Sequence, residues 1–342
     1  MHIQQTHRII VKVIYVSVRI PLEESPMAVN RRDFLRGSGS LVGAAIAGSA
    51  ISRATPETGP RATPATTWLL ANDAFTNLNN TALAGSPKVC KAAFNNGTTW
   101  FTVRYAGGDF HNTPVPTGYR GVATLKFEAY QNGSTGFLDA IKAGLPSWVQ
   151  AVHYDPEAWT FTPEIEQGAF LYNANIGVSY AQEFCATAHQ HGLRVVLTPG
   201  NDLCNRDPNP AYPGSAPQYP MDANDGGHDY NAFIRHNLAS ATQYLQSGDL
   251  FEYQSQQLEL DPRTYHAVTF AVSKEAAKAN TSGIAFLAGL GRSMPPSDGA
   301  TCAQLTAAAN SVANIASGYW LNVGSFTDQV RPMICALKSL GF

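Results

Sequence analysis

Two carboxylates and a histidine occupy alternate positions in the segment Val149–Trp159, VQAVHYDPEAW. If its apolar start is a β-strand, His153, Asp155 and Glu157 share one face, because successive strand side chains point to opposite sides. Carboxyl groups set together where a buried strand meets solvent can carry general acid–base chemistry. Each negative charge raises the other group's pKa toward a working pH, as a proton donor needs. The triplet Asp155-Pro156-Glu157 also reads as a helix start, with Asp as N-cap, Pro at the first helical position and an acid in the first turn. Asp261-Pro262 has that purely structural pattern. Thr162-Pro163-Glu164 offers a separate helix start just downstream, which weakens the cap reading of Asp155.

The elements that must position these residues alternate along the chain. Strand-like runs are Thr67–Leu70, Trp100–Ala106, Ala123–Tyr130, Val149–Tyr154, Leu193–Thr198, Leu250–Gln256, Ile284–Leu290 and Tyr319–Val323. Helical apolar spacing marks Gly177–His191, closed by Gly192 as a C′ residue, then Tyr230–Leu245, a helix opened by Asp261-Pro262, Ala300–Ile315 and Thr327–Leu340. Strands separated by helices predict βαβ units and a parallel sheet. Eight such strands within about 280 residues fit the α/β class as a single (β/α)8 TIM-type barrel. No GxGxxG follows an early strand, and there is no GxSxG elbow for a serine hydrolase.

Barrel sites are built from the C-terminal ends of the strands. Strand three would offer Lys126, Glu128 and Tyr130 on one face. Strand five would offer Asn201 and Asp202, strand six Gln254 and Gln256, and strand eight Trp320 and Asn322. Glu157 and Asp155 are the candidate catalytic pair, Glu128 its first-choice partner and Asp202 the reserve. Tyr130, Asn201, Gln254, Gln256, Trp320 and Asn322 are candidate substrate contacts. Aromatic rings stack on pyranose faces and amides bond hydroxyls, so a carbohydrate is the expected substrate. The Pro-, Asn- and Gly-rich stretch Gly200–His228 reads as a lid or substrate wall after strand five.

An Asp-x-Glu at the end of strand four, in a barrel of an exported protein, resembles several glycoside hydrolases, among them the family 18 chitinases. The resemblance implies that Glu157 is the general acid/base and that Asp155 orients it and the substrate. The chain departs from the chitinase pattern at His153, where that family has a further Asp, and this puts a substrate-assisted mechanism in doubt. Two rival readings keep the barrel: a non-catalytic carbohydrate-binding protein, and a metal-dependent hydrolase using His153, Asp155 and a third ligand such as His111 or His228. The expectation is nevertheless no metal and no cofactor, with His153 filling the interior through a hydrogen bond.

Other polar groups read as structural. His189 and His191 close a helix, where a cation suits the dipole. Glu252 and Glu259 read as surface or loop acids. Arg104 and Arg292 have two readings, binding an anionic sugar or pairing with Glu128 or Asp155.

The N-terminus supplies the expected compartment. Arg31-Arg32-Asp33-Phe34-Leu35-Arg36, followed by the uncharged run Gly37–Ser52, resembles a twin-arginine export signal. That run of about 16 residues falls short of the roughly 20 needed to span a bilayer, so no stable membrane anchor is expected. Met27 is a more natural start than Met1. The division expected is an export region over 1–56, a linker over 57–66 and the barrel over 67–342. The expected partners are the twin-arginine export machinery and a carbohydrate, with secretion as the destination. Net charge is −2 and no basic stripe exists, which disfavours nucleic acid. The five cysteines, Cys90, Cys185, Cys204, Cys302 and Cys335, allow one or two bridges in an oxidising compartment, with connectivity open and at least one thiol left over.

Overall fold

The computed structural model describes residues 66–80, 94, 97–104, 115–125, 136–157, 174–200, 233, 237–255, 258–292, 299–324 and 327–342. Contacts divide the chain into Met1–Arg61 and Ala62–Phe342, and every described residue belongs to the second unit. The expected export region, 1–56, lies outside the described residues.

Eight parallel strands close into a barrel in sequence order. They are β1 Thr67–Ala71, β2 Thr99–Arg104, β3 Arg120–Leu125, β4 Val149–Tyr154, β5 Arg194–Leu197, β6 Leu250–Tyr253, β7 Ala285–Arg292 and β8 Gly318–Val323. Closure comes from β1 pairing with β8 in the register Thr67↔Gly318 and Leu69↔Trp320. Gly318 is required there, because a Cβ would run into the backbone carbonyl of Thr67. The helices are α1 Asn72–Asn79, α2 Phe137–Ala143, α3 Ala174–Gln190, α4 Pro262–Ala279, α5 Cys302–Val312 and α6 Thr327–Ser339. The chain is a (β/α)8 barrel.

Local chemistry accounts for the helix ends. Asp261 caps α4 by accepting from the Arg263 amide, with Pro262 at the first helical position. Thr301 and Gln304 form a capping box on α5. Gly192 stops α3 at φ +71°, and the Leu193 amide reaches back to the Ala188 carbonyl.

Three expectations change, and the first is that the strand expected over Ala123–Tyr130 already begins at Arg120, which pairs with Trp100 of β2. Of the helix expected over Tyr230–Leu245, the part described from Asn237 on is a 3₁₀ helix, Leu238–Tyr244, preceded by Asn237 at φ +53°. A left-handed residue cannot sit inside an α-helix, so the regular spacing from Phe233 to Leu245 is interrupted there. Strand six ends at Tyr253 rather than Gln256, because Ser255 turns back, its amide bonding the Tyr253 carbonyl and its hydroxyl the Gly289 carbonyl.

The core has two parts. Outward strand faces pack on the helices through Trp68, Phe101, Tyr154, Val195, Phe251 and others, with Phe184 of α3 stacked on Tyr154. Inside the barrel, Leu69, Trp100, Val122, Ala151, Val196, Leu250 and Leu287 form one apolar layer, one residue from each of the first seven strands, with Trp320 of β8 packed against it.

Candidate functional site

Two residues beyond that apolar layer, alternation places Thr102, Thr124, His153, Thr198 and Glu252 on the same inward faces. Thr102, His153, Thr198 and Glu252 are buried, so the barrel interior changes from apolar to polar within one step along the strands. Buried polar groups need partners, and these largely find one another. His153 Nδ1 lies 3.1 Å from Thr124 Oγ1, and its Nε2 lies 2.7 Å from Thr198 Oγ1. The Thr198 hydroxyl donates to Asp155 Oδ1 at 2.7 Å.

One more step along the strands reaches the carboxylates. Backbone pairing of β4 with β5 continues past the strand ends: the Thr198 amide bonds the Tyr154 carbonyl, and the Gly200 amide bonds the Pro156 carbonyl at 2.9 Å. That pairing holds Asp155-Pro156-Glu157 extended rather than wound into a helix. Gln254, just beyond β6, donates through Nε2 to Asp155 Oδ1 at 3.1 Å and to Glu157 Oε1 at 2.7 Å. One amide nitrogen thus bridges both carboxyl groups, whose bonded oxygens lie within about 6 Å of each other, the sum of the two bonds. Asp155 and Glu157 are half-buried at the C-terminal rim, and the Asp155 carboxylate turns toward β5 and β6.

Glu252 corrects the sequence expectation of a surface or loop acid. It is 1% exposed, points into the barrel directly below Gln254, and its Oε1 has no hydrogen-bond partner. Burial pushes its carboxyl well above the usual carboxylate range, and the charges of Asp155 and then Glu157 push it further. Period-two alternation within β6 could have found it, since Glu252 shares the inward face with Gln254. Glu259 is also no surface acid: it is fully buried and its Oε1 accepts the Gly291 amide at 2.8 Å, tying the segment after β6 to β7. Thr124 and Thr198 were not anticipated either. Their signal was their position two residues beyond Val122 and Val196.

The remaining predicted residues divide as follows. Trp320 packs on the apolar layer, and Asn322, one step higher on β8, is half-buried. Glu128, Tyr130, Lys126, Asn201, Asp202 and Gln256, the stretch 201–228 and the side chains of Arg104 and Arg292 lie outside what the structure describes. His111 and His228 do too. Among the described residues, no group of three or more His, Cys, Asp or Glu is disposed to hold a metal ion. His189 does close α3, but its bond is specific: Nε2 meets Asp249 Oδ2 at 2.8 Å.

No protein-family model matches the chain, and no curated protein does. Solved structures similar to it include the hydroxymethylglutaryl-CoA lyase of Pseudomonas aeruginosa, 13% identical over 76% of this chain and 76% of that one, with a TM-score of 0.39. Bee venom hyaluronidase is 12% identical over 80% and 96%, with a TM-score of 0.38. A fucosyltransferase mutant of the alpha-L-fucosidase AlfC is 11% identical over 56% and 75%, with a TM-score of 0.27. A lyase stands beside two glycosidases, so the likeness selects no reaction.

Proposed function

We propose that the chain is an exported glycoside hydrolase acting on a polysaccharide or cell-wall glycan, with Glu157 as proton donor and Asp155 as the carboxylate that orients it. The observation that carries this reading is the single Gln254 amide bridging Asp155 and Glu157 at the catalytic rim of a closed barrel. Gln254 holds Glu157 through Oε1, and the Glu157 carboxyl carries the proton for transfer. Glu157 gives that proton to the glycosidic oxygen as the bond to the anomeric carbon breaks. The Asp155 charge faces the developing oxocarbenium ion. Water then forms the new bond to that carbon and returns its proton to Glu157, so hydrolysis balances and the acid is regenerated.

Spacing bears on the stereochemistry. Inverting pairs stand about 6.5–9.5 Å apart to admit a water, and retaining pairs about 5–5.5 Å. Glu128 remains the candidate for a separate nucleophile or base. The paired arginines at 31 and 32 and the bridge between Cys302 and Cys335 support export to an oxidising compartment.

The test is a panel of soluble glycans and aryl glycosides with the wild type, Glu157→Gln and Asp155→Asn. Glu157→Gln should lower kcat about 10²–10⁴-fold on substrates with poor leaving groups, and far less where an activated phenol leaves without protonation. Binding without turnover by the wild type would make the chain a carbohydrate-binding barrel. Turnover lost to a chelator and restored by a divalent ion would make it a metal-dependent hydrolase.

A further inference from the structure

We propose that His153 and Thr198 are positioning residues, joined to Thr124 in a one-way chain of hydrogen bonds that fixes the orientation of Asp155. The proposal deepens the reading of Asp155 as the orienting carboxylate and rests on it for its effect on turnover. Its hydrogen-bond content can be tested without any substrate.

Proton counting supplies the direction. A threonine hydroxyl carries one hydrogen, and that of Thr198 goes to Asp155 Oδ1. Its contact with His153 Nε2 at 2.7 Å must therefore run the other way, with Nε2–H donating to Thr198 Oγ1. A neutral ring with its proton on Nε2 presents Nδ1 as an acceptor, and the Thr124 hydroxyl stands 3.1 Å away to supply that bond. The chain reads Thr124 to His153 to Thr198 to Asp155, every link donating toward the carboxylate. The opposite tautomer would draw the Thr198 proton to Nε2 and take it from Asp155.

The surroundings make this arrangement costly to rearrange. His153 is 6% exposed and Thr198 2%, so neither can trade its partner for bulk water. Both stand on strands held in register, His153 opposite Thr124 across β3/β4 and Thr198 through its own amide to Tyr154. Asp155 Oδ1 then receives two fixed donors, the Thr198 hydroxyl and the Gln254 amide, and these hold that oxygen toward β5 and β6. His153, which departs from the chitinase pattern, thereby acts on Asp155 through a hydroxyl rather than as a further carboxylate.

The experiment reads the ring ¹⁵N shifts of His153 in uniformly labelled protein, alongside steady-state kinetics of Thr198→Val, Thr198→Ser, Thr124→Val and Thr124→Ser. The wild type is expected to show a neutral ring protonated on Nε2. An Nδ1-protonated ring overturns the proposal, because it cannot donate to Thr198. A doubly protonated ring also overturns it, because Thr124 would then accept rather than anchor. Thr198→Val should lose the tautomer preference and lower kcat about 10–100-fold with KM little changed, and Thr198→Ser should restore both. Unchanged tautomer and kcat in Thr198→Val overturn the proposal. Where a valine variant does not fold, the wild-type spectrum and the serine variants decide it. An Nε2-protonated ring that responds to Thr198→Val, in a protein that cleaves no glycan, upholds the chain and sinks only the glycosidase reading.

Discussion

At the residue scale the decisive group beneath the site is Glu252. Its carboxyl is held above its unfolded value chiefly by burial, then by the charges of Asp155 and Glu157, so the native protein binds this proton more tightly than the unfolded chain does. The stability it contributes is therefore complete below the unfolded pKa of about 4.3 and is lost as pH rises from there through the folded value, at about 1.4 kcal/mol per pH unit within that window. Glu252→Gln keeps the shape and cannot ionise. Its unfolding free energy, measured by urea denaturation from about pH 4 to about pH 9, should fall less than that of the wild type above about pH 4.3. Parallel curves would mean that Glu252 ionises as an ordinary surface acid. Because Glu252 also senses Asp155 and Glu157, adding Asp155→Asn should shrink the difference between the two curves.

At the element scale, the proposed chemistry sits at one end of β4–β6 and bracing at the other. Asp249, just before β6, is 1% exposed and accepts three bonds: from the Val195 amide of β5, the Gln246 amide and His189 at the end of α3. Asp249→Ala would strand two backbone donors and the histidine, and should cost about 3 kcal/mol in thermal or urea unfolding, with kcat per folded molecule unchanged. A loss of kcat without loss of stability would contradict this separation of the two ends. The strands themselves were legible because buried parallel strands are short apolar runs between turn residues; Val149–Tyr154 and the caps at Asp261 and Gly192 emerge with the bounds their residues imply. Helices α1 and α2 were not singled out, having only eight and seven residues with little room for a repeating stripe. The pair Asp155/Glu157 was legible from spacing within one strand. Its partners Thr198 and Gln254 lie just beyond β5 and β6, and only the register of the closed sheet says which polar residues there meet Asp155.

At the scale of the whole molecule, the barrel's last two helices are covalently tied. Cys302 opens α5 and Cys335 lies in α6, so the bridge spans β8, the strand that closes the sheet against β1. Its loop of 33 residues in sequence separation predicts about 3–4 kcal/mol of stabilisation from restricting the unfolded chain. Cys185 does not compete for either partner: it is buried in α3, and burial first, with the charge of Asp249 second, pushes its thiol far above the ordinary range, so almost no thiolate forms. Mild reduction of the native protein, followed by alkylation and peptide mapping, should therefore label Cys302 and Cys335 and leave Cys185 untouched until the chain unfolds. Cys302→Ala/Cys335→Ala should lower the unfolding free energy by the same few kcal/mol that reduction removes. If instead Cys185 is alkylated first, the interior behind α3 opens more readily than its burial implies.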